Sequence, residues 1–192
     1  IRVVGEDDGV FNDQDAILFY AESAYGYNAE NDSHINPYID RTYYYINISN
    51  VPGKRIGDLM EPTGATTQVL NTFNEYRYHE IDNTNIVKIG RKWYGEEFNV
   101  ESFRSYQFSM SRLDISQPIN LTVKTGGVST SNSPQANMQV LVNNSTVGGF
   151  NYAAISDISL AREGVFSGVV NVSSTDVNVG LNFNNVGNPS SN

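Results

Sequence analysis

The chain has 192 residues, a formal net charge of −9 at pH 7, no cysteine and only two histidines. The acidic balance argues against nucleic-acid binding, which relies on clustered Lys and Arg, and the lack of cysteine removes disulfides, thiolate nucleophiles and cysteine-ligated metals. Asparagine occurs 24 times beside 12 tyrosines and 16 glycines, a composition that favours β-strands joined by Asn/Gly turns.

The first half of the chain, residues 1–98, is predicted to be a β-rich portion. It opens in a short strand without an initiator methionine, so we expect the chain to be a piece of a longer protein. A turn follows this strand, and 69–82 mixes helical with strand spacing, from which we favour a strand. A short helical turn is predicted within 86–98. The predicted strands of this portion are 1–4, 16–22, 41–48 and 69–82.

The second half, residues 99–192, carries the clearer pattern. Burying one face of each of its strands predicts an antiparallel β-sandwich of jelly-roll type, with a hairpin turn at 143–145. The loop at 184–192 predicts one further strand, so that the module lacks its last strand and has a vacant edge beside 177–183. The alternative is a sandwich complete at Phe183. Apolar and polar residues alternate over 104–110, 119–123, 138–142 and 177–183.

The sequence contains none of the common catalytic signatures. It has no GxSxG elbow, P-loop or GxGxxG fingerprint, and no run approaches the roughly 18 apolar residues that span a bilayer. His79-Glu80 begins like a zincin HExxH motif, but Asn83 stands where the second zinc ligand belongs. His34, in a polar loop beside Asp32, is predicted to be a solvated surface residue. We therefore predict that this chain is not itself an enzyme.

An acidic turn near the N-terminus is a candidate calcium site. Asp8, Asp13 and Asp15 offer the hard oxygen donors that calcium prefers, and Gly9 matches the glycine of an EF-hand loop. Val4 then takes the first ligand position, where it cannot coordinate a metal, and strands rather than helices flank the turn. The alternative, which we favour, is a hairpin loop whose acids accept backbone N–H bonds. No other cofactor is predicted.

The 22 aromatic residues allow two interpretations. On an exposed sheet face, Tyr43, Tyr44 and Tyr45 would form a platform for stacking sugars, whereas burial in a core is the commoner fate of large rings. Trp93, the only tryptophan, is predicted to be buried as an anchor between the first half and the sandwich.

Residues 8–20 carry a motif of the form DGxFxxxDxIxFY. This motif resembles the N-terminal region of gingipain-type cysteine peptidases, particularly the PorU-like sortases of the Bacteroidetes type IX secretion system. The later features follow in a similar order: a Tyr-rich strand, the run Trp93-Tyr94-Gly95-Glu96, and a β-sandwich segment. Asp7 departs from the family pattern, in which glycine often precedes the Asp-Gly pair.

The resemblance implies a non-catalytic role for this chain. In the family, the catalytic Cys and His lie in a downstream α/β peptidase domain, so no catalytic residue carries over to this sequence. The parent would be a cysteine endopeptidase at the cell surface, associated with the outer membrane, that removes C-terminal targeting domains from secreted cargo. The implied partners are the peptidase domain, the cargo proteins and an outer-membrane β-barrel of the PorV type, with no nucleic acid and no direct membrane span.

Two other classes stay open at this point. The chain could be a secreted β-sandwich binding module of the lectin or adhesin kind, with calcium as an optional ligand, or it could be a structural spacer. A downstream peptidase domain would favour the sortase, whereas tandem β-domains would favour the adhesin.

Overall fold

The computed structural model describes residues 1–66, 68–86, 92–98, 100–130, 134–156 and 160–186. Strands and isolated β-bridges make up 33% of the described residues, and the strands pair in antiparallel sheets, so the all-β prediction is confirmed. The chain divides into two compact units, Ile1–Tyr76 and Arg77–Asn192. The division after residue 98 rests on sequence pattern and stays a prediction. None of the described residues belongs to a helix long and apolar enough to cross a membrane.

The first unit contains one short antiparallel hairpin. β1 (Arg2–Val4) pairs with β2 (Ala16–Leu18), and a 3₁₀ turn, Glu6–Asp8, begins the connection between them. The predicted first strand is thus confirmed, and the predicted second strand is shorter than expected because it ends at Leu18.

The Tyr-rich segment 41–48 is not a strand, and neither is 69–82, so both predictions are wrong. Side chains tie the first of these segments to Glu22, whose carbonyl accepts hydrogen bonds from Thr42 Oγ1 at 2.7 Å and from the Tyr44 hydroxyl at 2.8 Å. The alternation had placed aromatic rings on both faces, so it selected neither face for burial against a sheet. The helical turn predicted within 86–98 falls partly outside the described residues, which exclude 87–91.

The second unit consists of two antiparallel sheets. Its strands are β3 (Phe103–Ser109), β4 (Ile119–Gly127), β5 (Asn137–Val142), β6 (Ser145–Asn151), β7 (Arg162–Val170) and β8 (Asp176–Asn184). One sheet has the order β3-β8-β5-β6 and the other is β4-β7. β3 pairs with β8 and β4 pairs with β7, so the strands nest first with last and second with second-last, as in a jelly roll.

One face of each sheet contributes to a common core. Along β5 every second side chain is buried, and Val140 on β5 and Val177 on β8 are almost completely inaccessible. Val123 on β4 and Val170 on β7 join the same apolar cluster from the second sheet. The two sheets therefore enclose one core, as the sandwich prediction requires.

β6 and β7 are the strands that hydrophobic periodicity did not predict. Their sequences, STVGGFN and REGVFSGVV, interrupt the apolar alternation with glycine and serine. Two of these glycines allow close approach of aromatic rings, because Phe166 of β7 lies against Gly148 and Phe150 of β6 lies against Gly164. A Cβ atom on Gly164 would lie 2.1 Å from Cε2 of Phe150, so a larger residue there displaces the ring.

The hairpin turn predicted at 143–145 is confirmed. Asn143 and Asn144 have φ values of 48° and 68°, the two consecutive left-handed residues of a type I′ turn between β5 and β6. Asn143 also ties the turn to β8. Its Oδ1 accepts the N–H of Asn178 at 2.8 Å, and its own N–H donates to the Asn178 carbonyl at 2.8 Å.

The vacant edge predicted beside 177–183 is wrong. β8 pairs with β3 along one edge and with β5 along the other, so both of its edges are paired. The physical reason is the nested winding, which inserts the last strand between the first and third strands of the unit instead of at the rim of the sheet.

The close approach at Gly164 gives a stability prediction. Gly164→Ala should lower the free energy of unfolding by about 1–3 kcal/mol, because the added methyl group overpacks the contact with Phe150. Val169→Ala on the same strand, where the side chain is 69% exposed, is the control and should change it by less than about 0.5 kcal/mol. Urea unfolding of the three proteins measures the difference, and equal effects of the two substitutions would contradict the packing described here.

Candidate functional site

An open groove of about 580 Å³ runs beside β3. All six strand residues from 103 to 108 line it, together with Tyr78, His79, Glu96 and Glu101, and all of them belong to the second unit. Successive residues of a strand point to opposite faces, so a groove lined by both sets follows the edge of β3 rather than one face of the sheet.

Short-range pairing fixes the loop that carries Glu96. Thr84 and Tyr94 form an isolated antiparallel bridge, in which the N–H of each residue donates to the carbonyl of the other at 2.8 Å. Three residues beyond Tyr94, the Glu97 carbonyl accepts two hydrogen bonds from the Arg104 guanidinium, at 2.9 and 3.1 Å. Glu96 is therefore held between a backbone bridge on one side and a β3 side chain on the other.

Glu96 accepts hydrogen bonds on both of its carboxylate oxygens. His79 Nε2 lies 2.9 Å from Oε1, and the Tyr106 hydroxyl donates to Oε2 at 3.3 Å. The rings of His79 and Tyr106 also contact each other, with their centroids 4.5 Å apart. Three side chains from three separate segments are thus held in one fixed arrangement, which we call the Glu96 cluster.

The surroundings shift the pKa values of Glu96 and Tyr106. Partial burial raises the pKa of Glu96, but a backbone hydrogen bond and the contacts with His79 and Tyr106 outweigh it, so that the net pKa lies below the usual value. Burial, then the charge of Glu96 and its hydrogen bond, raises the pKa of Tyr106 to about 12. At neutral pH Glu96 is consequently an anion and Tyr106 a neutral hydrogen-bond donor.

Arg104 and Glu101 form the charged rim of the groove. The Arg104 guanidinium lies 3.2 Å from a Glu101 carboxylate oxygen, and its carbon lies 5.8 Å from the centroid of the Phe98 ring. Glu101 itself stays 68% exposed. The lining contains two carboxylates and one guanidinium, so carboxylates outnumber guanidinium groups in the groove.

The Glu96 cluster pairs a histidine with a carboxylate. Such a pair is the base-and-orienter half of a hydrolase triad, whose third member is a hydroxyl or thiol hydrogen-bonded to the imidazole. Here the His79 ring forms its hydrogen bond to Glu96. The cluster therefore offers a fixed anion, an imidazole and aromatic rings to a ligand in the groove.

The acidic turn forms a closed loop rather than a cluster of ligands. Asp8 Oδ1 accepts the N–H of Val10 at 2.9 Å, and Asp15 Oδ2 accepts the N–H of Asn12 at 2.7 Å. Asp13 is exposed. Across residues 1–186, leaving out the gaps given above, no three His, Cys, Asp or Glu side chains are grouped to hold a metal ion. The hydrogen bonds that the favoured interpretation predicted for Asp8 and Asp15 are thus observed.

His34 is buried, so the prediction of a solvated surface residue is wrong. It is only 8% exposed and lies between two tyrosine rings of the first unit. Its ring centroid is 5.1 Å from that of Tyr27 and 5.4 Å from that of Tyr76, the latter in a stacked orientation. Its polar neighbours in the sequence concealed the long-range contact with Tyr76.

The structure also differs from the burial predicted for other aromatic residues. Trp93 is 43% exposed and is not a buried anchor, whereas the ring of its neighbour Tyr94 packs against Gly126 of β4. In the first unit, Tyr43 and Tyr45 are 73% and 91% exposed, so burial is not their fate in this structure. They satisfy the exposure that the sugar-platform interpretation requires, although not its sheet face, since 41–48 is not a strand.

Sequence reasoning did not assemble the Glu96 cluster. His79 was considered within the incomplete zincin motif, Glu96 within the Trp93–Glu96 run, and Tyr106 as a strand residue, so no pattern joined the three. The available signal was the alternation over 104–110, which places Arg104 and Tyr106 on the same face of one strand. Nothing in that alternation shows that Glu96 packs opposite them.

Comparison of the chain with protein-family models, with curated proteins and with solved structures finds no match.

The Glu96 cluster predicts an unusual tyrosine titration. Subtracting the ultraviolet titration of Tyr106→Phe from that of the wild type should isolate one phenol with a pKa of about 12. Glu96→Gln should lower this pKa because the carboxylate charge contributes to raising it, whereas Glu101→Gln is the control and should leave it in place. A Tyr106 pKa near 10 in the wild type would contradict the cluster.

The same shift predicts a pH dependence of stability. Because the folded-state pKa of Tyr106 lies above the unfolded value near 10, its contribution is fully present below pH 10 and disappears as the pH rises through about 12. The gap in unfolding free energy between wild type and Tyr106→Phe, measured in urea at several pH values, should therefore shrink over that interval.

Proposed function

We propose that this chain is the non-catalytic, β-rich N-terminal region of a surface sortase of the gingipain type. It would bind polypeptide partners, while a downstream peptidase domain of the parent carries out cleavage. The observation that carries the proposal is the run DGxFxxxDxIxFY at 8–20, followed in similar order by a Tyr-rich segment, the Trp93–Glu96 run and a β-sandwich.

The positions that define this run have identifiable physical roles. Asp8 and Asp15 each accept a backbone N–H bond within the loop, and Gly9 has a φ of +74°, in the left-handed region that glycine adopts without strain. Phe11, by contrast, is 66% exposed and has no core role. The residues of the run therefore specify a particular loop conformation. A defined loop is a better family marker than a set of acidic residues that match by chance.

The proposal includes the location and partners of the parent protein. It would act at the cell surface in association with the outer membrane, where it would meet secreted cargo and an outer-membrane β-barrel of the PorV type. The net charge of −9 and the acidic groove support polypeptide rather than nucleic-acid partners, because phosphate backbones repel carboxylates.

The test of this proposal compares binding with cleavage. The purified chain should bind a secreted cargo that ends in a C-terminal targeting domain, and should bind the same cargo more weakly once that domain is deleted. It should cleave neither, because thiol catalysis needs a cysteine that the sequence does not contain. Calorimetry measures the binding and mass spectrometry the cleavage. Cleavage in proportion to the amount of chain, or equal affinity for both cargoes, would overturn the proposal.

The second candidate is a secreted β-sandwich binding module of lectin or adhesin type. The exposed rings of Tyr43 and Tyr45 favour it, as do the aromatic residues that line the groove, since flat apolar rings suit sugar stacking. Calorimetry also separates the two candidates. The lectin is favoured if the chain binds oligosaccharides, if Tyr43→Ala and Tyr45→Ala abolish the heat of that binding, and if the chain has no affinity for cargo.

Calcium belongs to this second candidate, with Asp8, Asp13 and Asp15 as the proposed ligands. The hydrogen bonds of Asp8 and Asp15 within the loop give calcium little support, because each uses one carboxylate oxygen to satisfy the backbone. We expect titration with calcium chloride to give no more heat than titration with magnesium chloride. A one-to-one calcium event that Asp15→Ala abolishes would reverse this expectation.

A further inference from the structure

The hydrogen-bond register of β3 shows which of its backbone groups face the groove. The Phe183 N–H donates to the Ser102 carbonyl at 2.7 Å, and the Met110 N–H donates to the Thr175 carbonyl at 2.9 Å. Both pairs continue the β3–β8 register, in which partners alternate between hydrogen-bonded and non-hydrogen-bonded. The even-numbered residues of β3 therefore bond to β8.

The odd-numbered residues of β3 direct their N–H and C=O groups away from β8. These residues are Phe103, Ser105, Gln107 and Ser109, and the first three line the groove. Within the described residues, no strand pairs with this second edge of β3. In the described part of the chain, one wall of the groove thus consists of backbone donors and acceptors that no strand pairs, along a strand of seven residues.

β3 lacks the features that usually protect an open edge. Edge strands are commonly guarded by lysine, proline or a bulge. The sequence FRSYQFS contains neither lysine nor proline, and the β3–β8 register runs without a shift from end to end. By comparison, β4 carries Lys124, and the pairing of β6 with β5 shifts register between Val140 and Leu141. The one charged residue of β3, Arg104, is bonded to the Glu97 carbonyl.

We propose that the open edge of β3 binds an extended, basic segment of a partner polypeptide by β-strand addition. The segment would pair its backbone with Phe103, Ser105 and Gln107, and alternate side chains would reach the Glu96 cluster. This inference rests on the proposed role in polypeptide binding and names its mode and its ligand chemistry.

Charge selects a basic partner over the other occupants. The lining has an excess of carboxylates, and Glu96, whose pKa is lowered, offers a fixed negative charge beside the strand edge. A second copy of this chain would bring its own net charge of −9, and like charges across an interface disfavour association. A lysine or arginine on the added strand would instead complement Glu96 and Glu101.

Synthetic peptides provide the test of the chemistry. The probe is a peptide of about nine residues that alternates valine and lysine, a length that spans the strand. Fluorescence anisotropy with the complete chain should detect its binding. A peptide with glutamate in place of lysine, and the lysine peptide with a central proline, should each bind roughly tenfold more weakly, because one lacks complementary charge and the other a backbone donor. Equal affinity for all three peptides would overturn the proposal.

Variants of the chain test the position. Ser105→Pro removes an N–H that faces the groove without removing a β3–β8 hydrogen bond, and it should abolish binding of the lysine peptide. Glu96→Gln and Glu101→Gln together should weaken binding roughly tenfold by removing charge. Val169→Ala on β7, a residue that is 69% exposed and lies outside the groove, is the control and should leave affinity unchanged. Unchanged affinity of both groove variants would overturn the proposal.

If Ser105→Pro fails to fold, modified peptides test whether the lysine peptide binds by strand addition. N-methylation of alternate residues of the lysine peptide blocks one edge of its strand, so methylating one set should abolish binding and methylating the other should preserve it. Tolerance of both sets would rule out strand addition. Sedimentation of the chain alone shows whether a second copy of the chain binds instead of the peptide. A dimer that the lysine peptide fails to dissociate would also overturn the proposal.

The outcomes for this inference and for the proposed function are distinguishable. If the chain binds the cargo with its targeting domain and the β3 variants bind it equally well, strand addition is wrong and the binding role stands. If the chain binds the lysine peptide at β3 but binds no cargo, the sortase proposal fails while the strand edge remains a peptide site.

Discussion

The contact between aromatic rings and glycines across β6 and β7 joins the two sheets of the second unit. Phe166 lies against Gly148 and Phe150 lies against Gly164, so each strand supplies both a ring and the space for its partner's ring. Close packing of this kind limits how far the sheets can shift, because a larger residue at either glycine would meet the ring. Core residues of β4, β5, β7 and β8 form one cluster between the same two sheets.

The nested strand order follows from that core and determines where the groove lies. Once β8 enters between β3 and β5, it becomes the centre of its sheet, and β3 becomes a rim strand with an outward edge. The loop that carries Glu96 then meets β3 through Arg104 and Tyr106, which stand on the same face of that strand. The groove is therefore a consequence of the winding, in which the first strand of a jelly roll lies at the rim.

Period-two patterning predicted the strands that have one apolar and one polar face. It failed where the residues of a segment were not divided between an apolar and a polar face. β5 alternates between buried and half-buried positions, and β8 buries Val177, Val179 and Leu181; both strands were predicted from sequence. β7 was missed because Gly164 and Gly168 stand where apolar residues would complete the alternation, and the structure uses the space at Gly164 for a ring from another strand. The segment 41–48 was predicted wrongly for the opposite reason, since rings on both faces gave an alternation without a preferred side.

The candidate site was harder to predict because its contacts are tertiary. The hydrogen bonds of Asp8 and Asp15 each span three residues or fewer, so turn chemistry alone accounts for them and sequence reasoning reached the favoured interpretation. Glu96 instead bonds to residues 17 and 10 positions away, and no local rule brings His79 to it.

The acidic turn and the Glu96 cluster also differ in what their carboxylates do. The carboxylates of the turn satisfy their own backbone, so their loss disturbs a loop, whereas Glu96 also accepts hydrogen bonds from side chains of two other segments, His79 and Tyr106. Because its pKa lies below the ordinary value, the Glu96 carboxylate is an anion at neutral pH, and it holds that charge at a fixed place for a ligand to meet.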